Sequence, residues 1–116
     1  MDWGVRSGIA TVVAVSDGTA SIYYSTGGGS IGGGQSHRSI RNAALDAVTV
    51  AGKLAGQMWL TDQFPLPKDG EDVFYVLIDG GVVTARGSQD LLSSNQHLLS
   101  KLGNAMQEIV TQYRLI

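Results

Sequence analysis

The sequence predicts an α+β domain: a two-layer, four-stranded, mainly antiparallel sheet made from two β-hairpins, with two helices, in the order ββα-ββα. Three observations predict it. Two runs rich in β-branched and aromatic residues are each folded back at an Asp-Gly pair, Asp17-Gly18 and Asp79-Gly80. Apolar residues recur at three- and four-residue spacing after each pair. The joins within each strand pair are too short for the crossover that parallel strands require. At 116 residues the chain reads as a single α+β domain, 1–116.

Ile9 to Val15 reads as the first strand. Asp17-Gly18 then predicts a type I′ turn, with both central residues at positive φ. Thr19 to Ser25 returns as the second strand. The tract Gly27-Gly28-Gly29-Ser30-Ile31-Gly32-Gly33-Gly34 follows, with six of the chain's sixteen glycines in eight residues. From Ser36 to Trp59 the pattern is helical, with Ile40, Ala44, Ala47, Ala51, Leu54 and Met58 on one face and Ser36 as N-cap. Its alanines, with Gly52 and Gly56, predict close packing against a sheet or helix.

Thr61 to Asp72 holds two prolines, a glycine and four acids, and reads as a connection. Val73 to Ile78, a turn at Asp79-Gly80-Gly81, and Val82 to Arg86 form the second hairpin. Ser93 or Ser94 then caps a last helix to about Tyr113, buried through Leu98, Leu102, Met106, Ile109 and Tyr113. In element order alone this arrangement is similar to roadblock-like and profilin-like domains. That resemblance implies a dimeric scaffold or regulator.

Composition narrows the function. A net charge of −2 and a pI near 5.5 oppose a general nucleic-acid binder. The sequence has no Lys/Arg run to hold an anionic membrane surface. It has no cysteine, which excludes disulfides, thiolate metal sites and cysteine nucleophiles. Met1 to Arg6 lacks the basic and apolar regions of a signal peptide, and no apolar run could span a bilayer. A cytoplasmic protein is expected.

The strands are apolar on both sides. Ile9, Val13 and Val15 share one face and Ala10, Val12 and Ala14 the other; Phe74, Val76 and Ile78 oppose Val73, Tyr75 and Leu77. Either the helices cover opposite faces, or a bare apolar face meets a partner. The expected partner is a second copy of the chain, in a homodimer or higher oligomer. Tyr23 and Tyr24 point to opposite faces, so one can anchor such an interface.

The glycine tract offers the alternative. Gly27-x-Gly29-x-x-Gly32 matches a dinucleotide-binding pattern, but no parallel β-α-β unit surrounds it. Gly29-x-x-x-x-Gly34-Gln35-Ser36 has Gln35 where a phosphate-binding loop needs lysine. A simpler anion site remains. No acid occurs between Gly18 and Leu45, and His37, Arg38 and Arg41 open the helix. Helix N-termini favour anions, and arginine adds bidentate bonds. The candidate ligand residues are Gly28, Gly29, Ser30, Gly33, Ser36, His37, Arg38 and Arg41, taking a small anionic ligand. The competing reading is a tight connector with solvated arginines.

Catalytic chemistry finds little footing. His37 and His97 could share a metal only if the two helix starts were adjacent, and a third ligand would still be needed. No Gly-x-Ser-x-Gly elbow occurs. Asp69, Glu71 and Asp72 read as a solvated acidic loop. No catalytic residue, metal or cofactor is expected. The leading expectation is a non-enzymatic, homo-oligomeric interaction or regulatory module; a small-ligand or anion-binding domain is second and an enzyme third.

Overall fold

The computed structural model describes residues 1–5 and 8–116. The strands are β1 (Asp2–Val5), β2 (Gly8–Ala14), β3 (Ala20–Tyr24), β4 (Gly29–Ile31), β5 (Trp59–Thr61), β6 (Glu71–Ile78) and β7 (Gly81–Ser88). The helices are α1 (Gly33–Ser36), α2 (Arg38–Leu54), α3 (Gln89–Ser93) and α4 (Ser100–Arg114), with a 3-10 turn at Ala55–Gln57. All seven strands form one antiparallel sheet in the order β4-β3-β2-β1-β6-β7-β5.

The class is α+β, but the expected four strands and two helices are corrected to seven strands and four helices. The two predicted hairpins are β2-β3 and β6-β7. The additional strands are short: β4 and β5 have three residues each and β1 has four. Such lengths give no usable periodicity. β5 and β4 form the two edges, and β1 joins the halves by pairing with both β2 and β6.

Register assigns the faces. Val12, Ala20, Ile22, Phe74 and Ala85 lie on one face and join Ile40, Ala44 and Ala47 of α2 and Leu102, Met106 and Ile109 of α4 in a single core. Both long helices therefore cover the same face, and the other face has no helix on it. Across its centre runs the 62–70 connection. The Gly70 N–H donates to the Gly4 carbonyl (3.2 Å), and the Tyr75 hydroxyl donates to the Pro65 carbonyl (2.8 Å). A Cβ on Gly4 would strike the Lys68 carbonyl, so only glycine lets this segment lie so close to β1. Val73, fully buried beneath it, is on the helix-free face.

Turns and caps differ from expectation in detail. At the first hairpin the Gly18 N–H donates to Val15 and the Val15 N–H to Thr19, with Gly18 at φ 90° and Asp17 outside the positive-φ region. That is a three-residue loop ending in a glycine bulge, not type I′. Ser36 ends α1 instead of capping α2; His37 occupies the cap with no side-chain bond. Trp59 leaves the helix for β5. Ser88 caps α3 by accepting from the Leu91 N–H (3.2 Å), and α4 starts only at Ser100, leaving Leu98 exposed.

Candidate functional site

The glycine tract is woven into the fold. Gly29, Ser30 and Ile31 are strand β4, with Ser30 opposite Ile22. A Cβ at Gly29 would meet the Ile22 carbonyl, and one at Gly34 the Gly18 carbonyl. Gly28 accepts from the Tyr24 N–H (3.2 Å), while the Gly32 N–H reaches the Ala20 carbonyl (3.2 Å). The Gly33 N–H donates to the Tyr113 hydroxyl (2.8 Å). The Arg41 guanidinium is turned back onto the hairpin, donating to the Asp17 carbonyl (3.0 Å) and packing on Gly18. Hydrogen bonding by Thr19 holds the Asp17 carboxyl below its ordinary value. His37 is half-buried, its N–H on the Gly33 carbonyl, while Ser36 and Arg38 are exposed. Strand β4 separates the eight anion-site residues: Gly28 and Gly29 lie against Tyr24 and Tyr23 at one end of β3, whereas Arg41 packs on Gly18 beyond the other end, and several of their polar groups serve the fold.

The two histidines are separated. α2 and α4 run antiparallel: Gly33, just before α2, meets Tyr113 near the end of α4. At the opposite end His97 lines a pocket of about 250 Å³ with Leu54, Gln57 and Met58. Among the described residues no group of three His, Asp or Glu side chains could hold a metal. Nor is the acidic cluster one solvated unit. Glu71 pairs with Arg86 (3.5 Å), and Asp72 is buried, accepting from the Gln89 amide (3.2 Å). Burial raises the Asp72 carboxyl above its ordinary value, against the lowering effects of Gln89 and the Met1 amino group.

The most distinctive surface is the helix-free face. Val13, Tyr23 and Ile31 lie on the β2-β3-β4 wing, and Trp59, Val82 and Leu77 on the β5-β7-β6 wing. Exposure reaches 74% at Ile31, 73% at Trp59 and 80% at Leu77. Of the charges on this face, Asp2 accepts from the Thr11 hydroxyl (2.8 Å) and Glu71 and Arg86 pair with each other, while Asp62, Lys68 and Asp69 of the crossing connection are exposed. Tyr23 and Tyr24 do point to opposite faces, and both are 45% exposed. Sequence reasoning found Val13, Tyr23 and Leu77 through strand alternation. It missed Ile31, hidden among glycines, and Trp59, at the end of a helical pattern. The signal available was the run Trp59-Leu60-Thr61, of high strand propensity, just after Gly56.

Among the described residues no helix is long and apolar enough to cross a membrane. Comparison with protein-family models, curated proteins and solved structures gives no match. The functional reading therefore rests on the surface itself.

Proposed function

We propose that this domain is a non-enzymatic interaction module that self-associates through the helix-free face of its sheet. One observation carries the reading: Val13, Tyr23, Ile31, Trp59 and Leu77 stand exposed on a single face. Large apolar patches on a folded surface mark interfaces. Size supports it. Seven strands at about 4.8 Å spacing give a face roughly 29 Å wide. With strands of up to eight residues, and with the exposed Phe64 and Leu66 of the crossing connection between the two wings, that accommodates the roughly 800 Å² per partner of a standard interface. Charge supports a second copy as occupant. A two-fold interface sets each patch against itself, so an unpaired charge of one sign would repel its own image. Here Glu71 and Arg86 neutralise one another, and the crossing connection carries both signs, Lys68 with Asp62 and Asp69.

Sedimentation equilibrium tests the reading. The parent chain should sediment as a dimer or higher species at micromolar concentration. Ile31→Asp with Trp59→Lys, two surface changes away from the core, should return it to monomer. A parent chain that stays monomeric at high concentration removes the proposal.

A further inference from the structure

The sheet is interrupted at its centre. β1 lies between β2 and β6, but its pairing with β6 ends at Asp2↔Val73 and its pairing with β2 at the Met1–Val12 bonds. Beyond that level β2 continues through Ala14 and β6 through Ile78, and among the described residues no strand lies between them. Two strand spacings separate their walls where they leave β1, about 9.6 Å. The gap is a groove of about 560 Å³ running through the sheet. Ala14 and Val15 line one wall and Tyr75 and Leu77 the other; Ala47 and Gly52 of α2 form its floor.

The backbone of both walls is directed into the gap. Val12 exchanges both its N–H and carbonyl bonds with Met1, at 2.8 Å each, whereas Val15 bonds Thr19 on the far side. Alternation in an antiparallel ladder then points the Ala14 N–H and carbonyl into the groove. On β6 the Phe74 carbonyl accepts from Thr84 on the β7 side, so Tyr75 and Leu77, like Val73, face the groove. Two backbone edges, one strand apart and both without a ladder partner among the described residues, call for one kind of occupant: an extended polypeptide.

We infer that this groove is a strand-accepting slot, taking a short extended segment of a partner polypeptide between β2 and β6. The inserted segment lies in line with β1 and runs antiparallel to both walls. Alternate residues are apolar, because every second side chain meets Ala47, Gly52 and Met106 on the helix side. The others emerge on the helix-free face beside Val13 and Leu77. The slot opens between Val13 and Leu77 on the self-associating face, so the test is run on the Ile31→Asp/Trp59→Lys variant, in which a second copy does not cover it.

The probe is the acetylated, amidated peptide Thr-Val-Thr-Val-Thr, added to the ¹⁵N-labelled chain at millimolar concentration. Without peptide, the Ala14, Tyr75 and Leu77 amides should exchange quickly; with it, exchange should slow by about tenfold or more. A variant with Thr-Val-Thr-Val placed before Met1 delivers the same strand at high effective concentration, and should protect the same amides and raise Tm. Gly52→Leu should fill the floor, where a Cβ meets nothing within 4 Å, and abolish the peptide effect while the fold persists. Three results would overturn the inference. The first is protection of these amides without peptide, which means the walls pair directly. The second is no protection by either peptide or extension. The third is a shift of the same resonances by octanoate but not by the peptide, which makes the groove an apolar-ligand pocket.

Discussion

Tyr113 and Gly33 are joined by a hydrogen bond across 80 residues: the Gly33 N–H donates to the Tyr113 hydroxyl at 2.8 Å. The same hydroxyl donates to the Ala20 carbonyl at 2.6 Å. One side chain near the end of α4 thus ties the glycine tract to β3. Tyr113→Phe removes both bonds and leaves a part-buried N–H without its partner. Chemical unfolding should show a loss of about 1–2 kcal/mol. An unchanged midpoint would mean that the tract is held by other contacts.

The glycines differ in what they do, and substitution separates them. At Gly34 a Cβ would collide with the Gly18 carbonyl, a backbone atom that cannot step aside. Gly34→Ala should cost roughly 3 kcal/mol, as overpacking does. Gly52 lies within α2 and is surrounded by open space. Gly52→Ala should stabilise the domain by up to about 1 kcal/mol through helix propensity alone. Thermal denaturation of the pair reads the contrast, and equal effects would contradict it.

The hairpins and the α2 periodicity were legible in the sequence because burial enforces them over many residues. Ile40, Ala44 and Ala47 face the core as their spacing requires. β4 and β5 were not legible. Gly29-Ser30-Ile31 becomes a strand because Tyr23, Ile22 and Ser21 offer it an edge, and nothing local announces that. Trp59 continues an apolar helical spacing, yet pairing with Thr84 draws it into the sheet. The bare face was foreseen as one of two outcomes; only the helix positions decided between them. The anion-site residues were read as one site; strand β4, which sets Gly28 and Gly29 apart from Arg41, and the bonds from Gly33 to Tyr113 and from Arg41 to Asp17 were invisible at that level.

Asp72 predicts a pH dependence. Its folded-state pKa is raised, chiefly by burial, so the native state binds its proton more tightly than the unfolded chain does. Stability from this group is therefore greatest below the ordinary aspartate range and is lost as pH rises through the folded-state value. Asp72→Asn should flatten that decline while keeping a partner for Gln89. A Tm series from pH 3 to about 8 checks it, and a slope identical in parent and variant would locate the dependence elsewhere.

Self-association predicts concentration-dependent melting. Because only the folded chain assembles, the parent Tm should rise with protein concentration. Tyr23→Lys, on the β2-β3-β4 wing, should remove that rise with little change in the dilute Tm. Added salt should affect the assembly weakly, since the residues that form the patch, Val13, Tyr23, Ile31, Trp59 and Leu77, are uncharged.

The seam at β1 has a mechanical consequence. The sheet consists of two plates, β4-β3-β2 and β6-β7-β5, and among the described residues β1 joins the second through two register pairs, Asp2↔Val73 and Trp3↔Asp72. A shearing or twisting load should concentrate on that short weld before it strains either plate. α2 and α4, packed across the same face, act as the splints that keep the two plates aligned.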